Sequence, residues 1–94
     1  MFLISLTHIE EGWFKGWIQD GDHYQAFVHY GKEFRLKEPK VPVDRYESYE
    51  HFVGVMSKFA PEVFFFKEKE YVGSLSLRAL TRIAQERGIG IDTY

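Results

Sequence analysis

Between residues 13 and 30 the chain places two aromatic-rich segments on either side of Gln19-Asp20-Gly21-Asp22-His23, and no other stretch constrains the fold as strongly. Trp13 to Ile18 and Tyr24 to Tyr30 read as antiparallel strands joined by Asp-Gly turn chemistry. A lone hairpin is marginal in water, so these strands need neighbours. Phe2 to Ile9 supplies one before them, set off by Gly12, and Phe34-Arg35-Leu36 one after them, set off by Gly31-Lys32. The first half of the chain is therefore expected to form a meander of four strands.

Side-chain sorting suggests a register, because a slip of one residue sends every side chain to the opposite face. A turn centred on Asp20-Gly21 would pair Trp17 with Tyr24 and mix aromatic and polar groups on both faces. A three-residue loop, Asp20 to Asp22, instead pairs Ile18 with Tyr24, Gly16 with Ala26 and Phe14 with Val28. One face then carries Phe14, Gly16, Ile18, Tyr24, Ala26, Val28 and Tyr30, and the other Trp13, Lys15, Trp17, His23, Gln25, Phe27 and His29. This register is the favoured one.

Glu38-Pro39-Lys40-Val41-Pro42-Val43 reads as a surface connection, since its two prolines interrupt strand pairing. Beyond it, Asp44 and Glu47 have capping-box spacing, and Tyr49, Phe52, Val53, Met56, Phe59 and Ala60 follow a helical stripe. A helix from about Arg45 to Phe59 is expected, stopped by Pro61. Gly54 inside it costs roughly 1 kcal/mol relative to alanine, so it either lies against another backbone or leaves the helix only moderately stable. Val63-Phe64-Phe65-Phe66 is a continuous apolar run, as in a central strand buried on both faces, with Glu62 and Lys67 to Glu70 as charged flanks against aggregation. A second helix is expected from about Leu77 to Arg87, capped by Ser74 or Ser76, ended by Gly88, and buried along Leu77, Leu80, Ile83 and Ala84. Ile89-Gly90-Ile91 can add a short edge strand. The fold class is thus α+β, an antiparallel sheet of about four to five strands with two amphipathic helices packed on it, in a single domain over residues 1–94.

Composition narrows the chemistry. With 45% hydrophobic residues, nine Phe, six Tyr and two Trp among 94 residues, the chain has apolar volume enough for its own core. It contains no cysteine, which excludes thiolate-zinc sites, iron–sulfur clusters and thiol nucleophiles and points to a reducing, cytoplasmic address. No basic region precedes the apolar start Met1 to Leu6, and the longest apolar run is far shorter than the roughly 20 residues a membrane helix needs. A net charge of −2 and a pI near 6.1 argue against a broad phosphate-binding surface but leave room for a local basic patch.

Catalytic constellations are not legible. His23 and His29 lie about 20 Å apart along one strand, too far to hold one ion. Asp20-Gly21-Asp22-His23 lacks the further acidic positions and the terminal glutamate of a calcium loop and reads as a turn. No Gly-x-Ser-x-Gly elbow is present. Ser74 and Ser76 are explained by capping rather than by anion binding, and Glu10-Glu11, Glu68 and Glu70 by solvated faces. Ala84-x-x-x-Gly88 has the spacing of the first part of a helix-turn-helix, with Arg78, Arg82 and Gln85 on the polar face, yet Ile89 to Tyr94 is too short for a recognition helix. The expectation is therefore a protein that is not an enzyme and uses neither metal nor cofactor.

The aromatic and polar face of the hairpin is the feature that points to function. Trp13, Lys15, Trp17, His23, Phe27 and His29, with Gln25, have the composition of a partner-binding surface, unless helices on both faces turn those aromatics into core. The leading expectation is a small non-enzymatic binding protein that docks on another protein as a regulator, inhibitor or assembly partner, a type familiar from phages and mobile elements. The alternative is a single-stranded nucleic-acid binder that uses the aromatic face together with Arg78, Arg82 and Gln85. A third is a homo-oligomer joined through an edge strand. None of these involves a membrane.

Overall fold

The computed structural model describes residues 1–89. Strands β1 (Phe2–Glu10), β2 (Trp13–Asp20), β3 (His23–Tyr30) and β4 (Glu33–Pro42) form the meander. A 3₁₀ turn (Val43–Arg45), helix α1 (Tyr49–Phe59), strand β5 (Phe65–Tyr71) and helix α2 (Leu77–Arg87) complete the chain. All pairings are antiparallel, in the order β4-β3-β2-β1-β5. The α+β expectation is met, and Ile89-Gly90-Ile91, expected as an edge strand, lies largely outside the described residues.

The hairpin register differs from the expected one by a single residue. Asp20 pairs with His23, so the turn is Gly21-Asp22, and Trp17 faces Ala26 across the strands. Gly21 has φ +60° and Asp22 does not share the left-handed region. That is the type II′ arrangement, which puts glycine first in a two-residue turn and follows the natural strand twist. Neither the favoured three-residue loop nor the Asp20-Gly21 turn is therefore present, and each face of the hairpin mixes aromatic and polar groups, with helices packed on both sides supplying apolar partners for the aromatic ones.

The two helices lie on opposite faces. On one, Leu80, Ile83 and Ala84 of α2 pack against Leu3, Leu6, Phe14, Ile18, Phe27 and Phe66. On the other, Phe52 of α1 packs with Ile4, Trp17 and Tyr24, flanked by Tyr49, Val53 and Met56. Tyr24 stacks on Phe52 with ring centroids 3.9 Å apart, and Trp17 meets the same ring edge-on at 5.6 Å. Tyr49 ties α1 to the sheet, its hydroxyl donating to the Phe66 carbonyl at 2.6 Å, and burial pushes its pKa up to about 12.

Three further expectations are corrected. The cap of α1 is Ser48, whose Oγ accepts from the His51 amide at 3.0 Å, and Asp44 instead sits in the 3₁₀ turn. The prolines do not end β4: Ala26 pairs with Lys37 and Gln25 with Lys40, so Glu38-Pro39 is bulged out of the ladder and the strand runs on. An edge strand tolerates this because the outward amide that proline lacks has no partner to lose. The apolar run Val63 to Phe66 is not a central strand, since β5 begins at Phe65 and lies at the sheet edge beyond β1. The run is apolar because Phe65 turns to the α1 core and Phe66 to the α2 core, while Phe64 is 54% exposed. By contrast, α2 spans the expected residues, with Ser76 Oγ capping the Ala79 amide and Gly88 left-handed at φ +66°.

Candidate functional site

With the register settled, the residues singled out in the sequence separate. Trp13, Lys15 and Trp17 share the α1 face with Ala26 and Val28, whereas His23, Gln25, Phe27 and His29 alternate onto the α2 face. The single aromatic surface expected from sequence therefore does not exist as one face. Its members also differ in access. Trp17, Phe27 and His29 are buried, Trp13, His23 and Gln25 are half-buried, and Lys15 is exposed. Trp13 packs edge-on against Tyr30 at 5.4 Å. His23 Nδ1 contacts the exposed Asp22 carboxylate at 2.8 Å, a local turn contact.

His29 is 4% exposed and lies opposite Phe14 on one side and Phe34 on the other. Its Nδ1 has no hydrogen-bond partner, and burial lowers its pKa from 6.5 because the charged imidazolium would be desolvated. Arg78, Arg82 and Gln85 are exposed on α2, with Arg82 bonded to Glu86 at 3.3 Å. They stand on the side of the sheet opposite Trp13, Lys15 and Trp17.

What the α1 face does form is a concavity toward β4, where α1 stops short of the outer strands. Its volume is about 250 Å³, with Trp17, Ala26 and Val28 in the floor, Thr7 and Lys15 on one side and Lys37 and Glu38 on the other. Cross-strand pairing explains the composition: Lys15 sits opposite Val28 and Val28 opposite Arg35, while Trp17 sits opposite Ala26 and Ala26 opposite Lys37. Lys15, Lys37 and Glu38 thus flank an apolar floor, while Arg35, ion-paired to Glu33 at 2.9 Å, stands on the same face of β4 outside the lining. Residues Glu33 to Lys40 are exposed throughout, so the outer edge of β4 is uncovered. Arg35, Lys37 and Val28 were not singled out from the sequence. A strand at Phe34-Arg35-Leu36 is legible there, but taking the prolines as a connection stops it short of β4's full extent, Glu33–Pro42, and leaves Lys37 outside it.

A second hollow of about 460 Å³ lies between α1 and the start of β5, lined by Tyr49, Val53, Gly54, Phe64 and Phe65. It is more apolar and contains none of the sequence candidates. Among the described residues no group of three or more His, Asp or Glu side chains is placed to hold a metal ion. No helix among them is long and apolar enough to cross a membrane. No protein-family model, no curated protein and no solved structure matches the chain.

Proposed function

We propose that this protein is a non-enzymatic docking module of the cytoplasm that binds another protein through the β4-side concavity, acting as a regulator, inhibitor or assembly partner. The observation that carries the reading is the apolar floor of Trp17, Ala26 and Val28 flanked by Lys15, Lys37 and Glu38 beside an uncovered strand edge. An anchored apolar contact inside a charged rim is the usual anatomy of a protein interface. The two lysines favour a partner segment that carries carboxylates beside an apolar side chain.

Single-stranded nucleic acid is the weaker reading on two observations. Base stacking needs exposed ring faces, whereas Trp17 is only 9% exposed and is engaged by Phe52. The arginines of α2 also stand on the opposite side of the sheet from the concavity and cannot extend one binding track with it. The discriminating experiment is affinity capture from the source cell with wild type, Lys15→Glu, and Arg78→Glu with Arg82→Glu, alongside titration of labelled single-stranded DNA at 50 mM salt, a low-salt condition that exposes phosphate binding. A captured protein lost with Lys15→Glu and retained by the α2 double variant supports the docking reading. Capture indifferent to Lys15→Glu overturns it. Salt-sensitive DNA binding abolished by the α2 variant replaces it with the nucleic-acid reading.

A further inference from the structure

The outer edge of β4, which borders the docking concavity and shares Lys37 with it, also carries a pattern of its own. From Lys32 the sequence runs Lys-Glu-Phe-Arg-Leu-Lys-Glu to Glu38, and it complements its own reversal. Laid antiparallel against a second copy about a two-fold axis at Arg35, Lys32 falls opposite Glu38, Glu33 opposite Lys37, and Phe34 opposite Leu36. Each relation occurs twice. The one like-charge pair, Arg35 with its symmetry mate, lies on the axis, and each Arg35 already has a carboxylate of its own, Glu33 at 2.9 Å.

The structure makes this pattern available. Glu33 to Lys37 pair in regular register with Tyr30 to Ala26, and the bulge at Glu38-Pro39 interrupts the ladder just beyond them. Among the described residues β4 ends the sheet order, so its outward amides and carbonyls have no described strand beside them. Phe34 and Leu36 are 39% and 46% exposed on the α2 side of the strand, while Glu33, Arg35 and Lys37 project on the other. In the antiparallel register the apolar pairs therefore share one face and the Glu33–Lys37 pairs the other. A flat exposed edge is a hazard unless it is blocked or paired. Here the blocking charges are themselves self-complementary, which favours one partner and disfavours others.

We propose that the protein forms an isologous dimer through β4, with residues 33–37 of two copies joined as neighbouring strands in one continuous ten-stranded sheet. The chemistry that recognises the partner is that of this chain itself: backbone ladder, two Glu33–Lys37 pairs and two Phe34–Leu36 contacts. The dimer would set the two concavities side by side across the axis, with Lys37 shared between the concavity and the interface.

Sedimentation equilibrium over micromolar to hundreds of micromolar chain tests the proposal directly, with circular dichroism confirming that each variant is folded. Wild type should approach twice the chain mass of 11.1 kDa. Glu33→Lys alone, or Lys37→Glu alone, turns both Glu33–Lys37 pairs into like-charge pairs and should raise the dissociation constant at least about tenfold. Combining the two substitutions in one chain restores complementarity and dimerisation. Mixing the two single variants should also give a heterodimer, because one edge is then acidic and the other basic at both positions. A wild type that stays monomeric up to hundreds of micromolar overturns the proposal, as does a dimer whose strength ignores either charge reversal. Lys15 lies outside the paired strand, so loss of partner capture in Lys15→Glu with dimerisation intact separates this interface from the docking site.

Discussion

At the residue scale His29 shows how a polar side chain comes to sit in an aromatic environment. The alternation of β3 sends it to the α2 face between Phe14 and Phe34, where Nδ1 finds no acceptor or donor. Its folded pKa is depressed below 6.5, so between that value and 6.5 the unfolded chain binds the proton more readily than the folded one. The associated stability is therefore complete above about pH 6.5, the reference value of a free histidine, and is lost as pH falls toward the folded pKa. Urea denaturation at pH 7.5 and 5.0 should show a larger loss for wild type than for His29→Leu. At pH 7.5 the variant should lie within about 1 kcal/mol of wild type, since removing an unpartnered buried nitrogen offsets the change of shape. An equal loss on acidification in both proteins would remove His29 as the cause. Nothing in the sequence announced this burial, because His29 was assigned to a face by a register one residue away from the true one.

At the element scale two glycines that look alike in sequence have opposite meanings. Gly16 in β2 meets the Ser5 carbonyl of β1, so a methyl group there would strike fixed backbone, while Gly54 in α1 has nothing within 4 Å of the same added atom. Of the two sequence readings for Gly54, close backbone approach is thereby removed and a moderately stable helix stands. Gly54→Ala should stabilise the protein by up to about 1 kcal/mol, or roughly 4–8 °C in Tm for a domain this size. Gly16→Ala should destabilise it by about 1–3 kcal/mol through overpacking. Differential scanning calorimetry checks both, and a Gly54→Ala protein that melts below wild type would show that this helix position has a neighbour after all. The contrast also marks what was legible. α2 was readable to the residue because cap, stripe and terminal glycine agree locally, whereas the start of α1 depended on Ser48 rather than on the acidic pair Asp44 and Glu47. The ends of the sheet were misread because edge position is a matter of topology: β4 continues past Pro39 and β5 lies outside β1, and neither fact is encoded in a local pattern.

At the scale of the whole molecule, the decisive feature is that one sheet serves two cores. The β2 neighbours Trp17 and Ile18 point to opposite sides, Trp17 into the α1 core and Ile18 into the α2 core. Aromatic residues that would form a platform on an open sheet are divided between these cores, and among the described residues the β4 end of the sheet stays open, with Arg35 and Lys37 exposed on its α1 face and Phe34 and Leu36 on its α2 face. Trp17 and Trp13 share that face yet should respond differently to truncation. Trp17 is 9% exposed and touches Phe52, so Trp17→Ala removes a wedge from between helix and sheet and should cost about 3–5 kcal/mol. That is a large share of the roughly 5–14 kcal/mol that holds such a domain together. Trp13 is half-buried and packs on Tyr30, itself 58% exposed, so Trp13→Ala leaves a gap that water can enter and should cost less than half as much. Chemical denaturation of the two variants, with the remaining tryptophan as the fluorescent probe in each, measures both losses. Equal losses would mean that α1 does not cover Trp17 in solution, and the floor of the proposed docking site would then be an open aromatic surface rather than the exposed margin of a core.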